Sequence, residues 1–497
     1  MEHDVNVHSD VIIVGAGLSG VGAAYRLQTE CPDKSYTILE ARDAIGGTWD
    51  LFRYPGIRSD SDMFTLSWPF RPWTHPKAIA EGSDILDYIK DAADDFGIEK
   101  NIQFGNTVQA ASWSSDDALW TVTSLVDGTE VVRTASFLYF CTGVYDANKG
   151  HQPEFPGIDT FAGVVVHPQF WPEDLDYADK EVVVIGSGAT AVTLIPSIAD
   201  DTKHVTMLQR SPTYVISRSD GDPIANLTRK VLPAGLAHRF NRRMNAVLTI
   251  GLYQYCKRFP NSARKLIAKQ VTKRLPEGYD VATHFNPTYN PWDQRLCAVP
   301  NGDLFRSIRH GKASVVTDHI KTFTPTGIQL ESGKHLDADL VISATGFEIA
   351  VLGQVKLTVD GTAINVHHSY VYKGLMFSGL PNLAWCIGYT NASWTLRADL
   401  SSQYVCKFIN YLDEKGYAFG MPDPVGSSGP SRPAVDLTSG YVLRAVGAMP
   451  QQGTASPWTI RQNWLLDSRD MRRTDLAQDM VFGKAAMLSE EVVSRAS

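Results

Sequence analysis

The chain has 497 residues, 43% hydrophobic and 20% charged, enough for two or three globular domains. Its net charge of −8 excludes a general nucleic-acid binder, which needs a basic face. Six scattered cysteines without a Cys-x-x-Cys pair exclude a disulfide framework and a zinc site and read as intracellular thiols, and the thirteen histidines show no metal spacing.

Residues 1–10 are acidic and polar, unlike a signal peptide, and no run of about 18 apolar residues predicts a membrane span. A cytoplasmic protein is expected, with peripheral membrane contact left open. The apolar run 11–14 predicts a strand buried on both faces, followed by a helix over 21–28 and a second strand over 36–39. Residues 138–141 predict another buried strand, and the Pro- and Gly-rich segment 151–157 a crossover. A second unit starts with strand 182–185 and continues with strand 205–208. Residues 222–300 have helical character and many Arg and Lys, and their most apolar part, 245–256, is expected to be a buried or interdomain helix. Strand 340–343 closes the second unit, and mixed structure returns from 381, with a loop at 426–433. The fold class is therefore α/β, with two Rossmann-like dinucleotide-binding domains and a helical insertion. The first domain takes residues 1–145 and 381–497, the second 150–221 and 326–380, and the insertion 222–325.

Two glycine motifs carry the chemistry. In Gly15-Ala16-Gly17-Leu18-Ser19-Gly20, Gly15 permits the turn, Gly17 lets a pyrophosphate approach the backbone, and Gly20 lets helix and strand pack. Glu40, 20 residues past Gly20, suits ribose hydroxyls and repels a 2′-phosphate. The second motif is Gly186-Ser187-Gly188-Ala189-Thr190-Ala191, with Ala191 in the third glycine position. It is followed by Arg210 and Ser211, where a guanidinium suits a 2′-phosphate. FAD on the first loop and NADPH on the second is the expected pairing.

Two longer signatures then resemble those of Baeyer–Villiger monooxygenases. Phe161-Ala162-Gly163-Val164-Val165-Val166-His167-Pro168-Gln169-Phe170-Trp171-Pro172 is similar to the family fingerprint Phe-x-Gly-x-x-x-His-x-x-x-Trp-(Pro/Asp). Gly46-Gly47-Thr48-Trp49, running on to Tyr54-Pro55-Gly56 and Asp60, resembles its second signature. Ala344-Thr345-Gly346-Phe347 resembles a segment shared with flavin-containing monooxygenases. Stretches 46–63, 290–305 and 388–400 look closest to a mycobacterial ethionamide-activating branch that also oxidises sulfur. The resemblance implies a flavin-containing monooxygenase type of fold. It also implies oxygen insertion from O2 into ketones through a flavin C4a-peroxide, with thioethers as further substrates. It makes Arg295 the active-site cation and Asp60 the acid that holds it, against the alternative of a structural ion pair at a domain junction. The chain departs from better-known members at Gln294, where they carry Lys, so Arg210 is left to carry the 2′-phosphate contact. Trp49 is expected near the flavin or nicotinamide. His167 reads as a hinge in preference to an acid, and Trp171 as a packing anchor. Asn391, in the tract with Trp394 and Arg397, suits either the isoalloxazine edge or a turn. An S- or N-oxidising flavin monooxygenase and a non-catalytic nucleotide sensor are the rival functions. A disulfide reductase lacks its cysteine pair.

Overall fold

The computed structural model describes residues 7–424, 429–435 and 437–484. It contains two sheet units, the first mixed and the second all parallel. In the first, β1 (Val7–Val14) leads through a glycine loop into α1 (Leu18–Glu30) and on to β2 (Tyr36–Leu39). β1 pairs in parallel with β2 on one side and with Thr129–Phe140 on the other. Val11, Ile12 and Ile13 are fully buried, as their unbroken apolar run requires when both sheet faces are covered. On its other edge Thr129–Phe140 is long enough for two further partners. Its first part runs antiparallel to Leu119–Val126, and its last residues run parallel to Leu383–Trp385.

The second sheet is all parallel. Its central strands are β3 (Glu181–Ile185) and β4 (His204–Gln209), with α2 (Ala189–Ile198) between them in sequence. Leu340–Ser343 pairs with β3, and Val164–Val166 of the fingerprint forms one edge beside it. Ala313–Thr317 forms the other edge beside β4.

Three expectations need correction. Lys356–Val359 pairs in parallel with Thr107–Ser114 of the first sheet, so residues 356–377 do not belong to the second domain as expected. Leu357 and Val359 bury in the core that holds Trp113 and Trp120, and this burial decides the strand's sheet. The insertion is also shorter than 222–325. Its helices run from Pro223 to Phe285, after which Cys297–Pro300, Asp303–Arg309 and Ala313–Thr317 return to the second unit. Third, the apolar part of the insertion lies in α3 (Ala234–Arg258), and only one of its faces is buried. Asn245, Ala246 and Cys256 are covered, whereas Val247, Leu248 and Leu252 are exposed. The expected loop at 426–433 lies partly outside the described residues; Arg432–Pro433 within it pairs with Gln451–Gln452. No helix among the described residues is long and apolar enough to cross a membrane.

Candidate active site

A cavity of about 1220 Å³ lies where the two sheets present their carboxyl ends. That exceeds the usual 300–1,000 Å³ of a single small-molecule pocket. Gly15, Gly17 and Glu40 line it from the first unit, and Gly186, Gly188 and Thr190 from the second. Both α1 and α2 start at a glycine without a side-chain cap, so their first-turn N–H groups remain free for anionic groups. Gly20 lies behind the first loop, and a Cβ there would fall 1.9 Å from the Gly15 carbonyl oxygen. Ala191 is fully buried beneath the second loop. Two glycine-walled helix starts opening on one large cavity fit a pair of dinucleotides.

Burial pushes the Glu40 carboxyl above its ordinary pKa. Its oxygens accept the N–H groups of Ala16 (2.6 Å) and Arg42 (2.9 Å). Across the cavity, Arg210 and Ser211 are exposed on the lining, and the Arg210 guanidinium makes no hydrogen bond or ion pair among the described residues. Gln294 also lines the cavity.

The segment that resembles the second signature ties both loops together. The Gly46 N–H donates to the Ala16 carbonyl (3.2 Å), and Gly47 packs on Gly17. Trp49 lines the cavity, half-buried. Tyr54 is buried against the second unit, and burial pushes its phenol up to about 12. Gly56 then meets α2 so closely that a Cβ would fall 1.7 Å from Ser197 Oγ. The segment ends at Asp60. Arg295 donates to both carboxylate oxygens of Asp60, from Nε at 3.1 Å and from Nη2 at 3.3 Å. The nearby carboxylate raises the Arg295 pKa further above its ordinary value. The Arg295 side chain stays 41% exposed and lines the cavity, so the pair is not sealed in a core.

Tyr145 and Tyr441 line the same cavity and feel the Arg295 charge; burial pushes both phenols above their ordinary pKa. Neither stands in a recognisable motif. Tyr145 has one faint signal, its place just past a buried strand end, where ligands gather in open α/β sheets.

Thr345 and Gly346 line the cavity, but none of the fingerprint residues does. Phe161 packs on Phe323 at 5.9 Å, and Gly163 fits tightly against the Asp339 carbonyl. Trp171 lies against Tyr177 at 6.2 Å. His167 sits behind Gly346. Its Nδ1 accepts the Gln169 N–H (3.2 Å), which leaves the proton on Nε2 to donate to the Gly346 carbonyl (3.1 Å). Burial lowers its pKa and so favours that neutral form. Asn391 does not line the cavity. It is buried and donates to the Gln462 carbonyl (2.9 Å), 71 residues further along the chain, a tertiary contact and not a turn. Trp394 lines the cavity and donates to Ser19 Oγ (2.8 Å), and Arg397 is buried in an ion pair with Asp467.

A sequence model described as flavin-binding monooxygenase-like matches residues 8–378. The chain is 52% identical over 467 residues to the FAD-containing monooxygenase EthA of Mycobacterium tuberculosis, covering 94% of this chain and 96% of that one. It is 46% identical over 469 residues to the probable FAD-binding monooxygenase AlmA of Acinetobacter baylyi, covering 94% of each. Among solved structures, an oxidized steroid monooxygenase bound to NADP superposes with a TM-score of 0.77 at 22% identity, over 96% of this chain and 100% of the other. A cyclohexanone-bound cyclohexanone monooxygenase gives 0.75 at 20% identity with the same coverage.

Proposed function

The chain belongs to the flavin-binding monooxygenase-like family, and we propose that within it the protein is a Baeyer–Villiger enzyme using FAD and NADPH. It inserts one oxygen atom of O2 into a ketone to give an ester or lactone, and it also sulfoxidises thioethers. The other oxygen atom leaves as water, with NADPH supplying the electron pair. The observation that carries this reading is the Arg295–Asp60 pair, held open to the cavity that both nucleotide loops share.

Bound FAD supplies the oxygen-activating chemistry once NADPH has reduced it. The chain's residues do the rest. The free N–H groups at the start of α1 bind the FAD pyrophosphate, and the Glu40 carboxylate takes the ribose. The start of α2 binds the NADPH pyrophosphate, and the unpaired Arg210 takes the 2′-phosphate with Ser211 beside it. The first unit is thus the FAD domain and the second the NADP domain. Arg295 places a permanent cation where an oxyanion develops on the ketone oxygen. Asp60 grips two of its nitrogens, so the guanidinium meets the substrate in one orientation. A sulfur nucleophile develops no such oxyanion, which is why the pair favours ketone insertion over an enzyme confined to S- or N-oxidation.

The test is product analysis under 18O2 with a linear ketone and a thioether, for the wild type and Arg295→Ala. Wild type should give ester carrying one labelled atom. The variant should lose ester formation by about 10²–10³-fold, the usual effect of removing an oxyanion donor, while its flavin absorbance is retained. Sulfoxide alone from wild type, or undiminished ester from the variant, would overturn the reading.

A further inference from the structure

Residues 223–276 contain twelve Lys and Arg and no Asp or Glu, in a chain whose net charge is −8. The same stretch holds eleven of the seventeen large hydrophobic side chains that are exposed among the described residues. Leu227 is 61% exposed, Val231 68%, Leu248 60% and Leu266 56%. These are not scattered. On α3, Leu236, Phe240 and Val247 recur at helical spacing on one face, with Leu248 and Leu252 alongside. The opposite face is anchored in the protein. There Asn241, Arg242 and Asn245 are buried, and Arg242 Nη1 donates to the carbonyls of Thr65 (3.0 Å) and Ser67 (2.5 Å). The apolar stripe is therefore held outward by a fixed helix.

The cations around it are free. Lys230, Arg239, Arg243, Arg258, Lys265 and Lys269 are exposed, and none makes an ion pair among the described residues. We infer that the helices Pro223–Val231, Ala234–Arg258 and Pro260–Thr272 form a docking face for an anionic lipid bilayer. The apolar side chains enter the headgroup–acyl boundary, and the Lys and Arg side chains rest among the lipid phosphates. No helix of the described residues can span the bilayer, so the enzyme lies on it. A second copy of the chain is the poorer occupant. A two-fold contact through this face would set its unpaired cations against one another with no carboxylate from residues 223–276 to offset them.

Co-sedimentation of the full-length, FAD-loaded enzyme with vesicles tests this. With 30% phosphatidylglycerol in phosphatidylcholine, the wild type should pellet at least tenfold more than with phosphatidylcholine alone. Raising salt from about 0.1 to 0.5 M should remove most of that difference, because the Debye length shortens to a few ångströms. Two triple variants, Leu227→Gln/Phe240→Gln/Leu248→Gln and Lys230→Glu/Arg243→Glu/Lys265→Glu, should each cut pelleting at least tenfold. All six sites are exposed, so flavin absorbance and turnover of a water-soluble ketone should not change. The proposal fails if the wild type stays in the supernatant with anionic vesicles, or if pelleting ignores lipid charge. It also fails if the variants pellet as before and alter only the sedimentation coefficient in lipid-free buffer, the mark of a self-association face.

Discussion

Arg295 and Asp60 are separated by 235 residues, yet two hydrogen bonds join them at the cavity wall. A carboxamide at position 60 would keep the shape and lose the charge. Asp60→Asn should therefore lower ketone turnover by about 10–100-fold, the loss of one charge-assisted contact worth 1.5–3 kcal/mol, with KM for NADPH unchanged. Steady-state kinetics at saturating NADPH measure it. Arg210 belongs to the other substrate. With neutral Gln294 lining the same cavity, Arg210→Ala should raise KM for NADPH by about 10–100-fold and leave KM for NADH alone. Equal KM shifts for both coenzymes would remove Arg210 from the 2′-phosphate site. The sequence singled out all three, Arg295 and Asp60 through the family resemblance and Arg210 through its position and charge. It did not single out Tyr145 and Tyr441, since a lone tyrosine carries no spacing to read.

The segment 46–60 is the element on which the site depends. It begins against the first glycine loop, crosses to α2 and ends at the cation's partner. Gly56 is the contact with least room: its φ is +75°, and a side chain would meet Ser197 and the Thr193 carbonyl. Gly56→Val should destabilise the protein by about 2–4 kcal/mol, combining left-handed strain with overpacking. Thermal unfolding should show this as a lower Tm, and a Tm within a degree of wild type would mean the contact is slack. The fingerprint strand Val164–Val166 behaves differently. It edges the second sheet and delivers His167 to the back of Gly346, away from the cavity. His167→Gln should keep flavin absorbance and lower kcat about tenfold at constant KM for the ketone, as expected of a joint losing one hydrogen bond. A lost limb in the pH–rate profile would instead make His167 an acid.

Across the whole molecule, the insertion is keyed to the first unit by buried polar groups, and one of them titrates. Burial, reinforced by the Arg242 charge, pushes the His238 imidazole from its ordinary 6.5 down to about 4. Between those values the unfolded chain binds a proton that the folded chain refuses. The contribution to stability is complete above about pH 6.5 and is lost as pH falls to about 4, amounting to up to about 3 kcal/mol. Urea midpoints at pH 7.5 and 4.5 should fall less for His238→Phe than for wild type; equal falls would show that His238 is not the group responsible. What the sequence determined by itself was everything carried by short spacing. Unbroken apolar runs specified the central strands of both sheets, and two glycine motifs specified two uncapped helix starts, because those features depend only on neighbours along the chain. The tertiary structure alone decided that residues 356–377 join the first sheet, that Arg397 reaches Asp467, and that one face of the insertion stays uncovered. An edge strand's sheet, a distant ion pair and an exposed stripe all depend on what else is packed nearby, and burial is a property of the whole molecule.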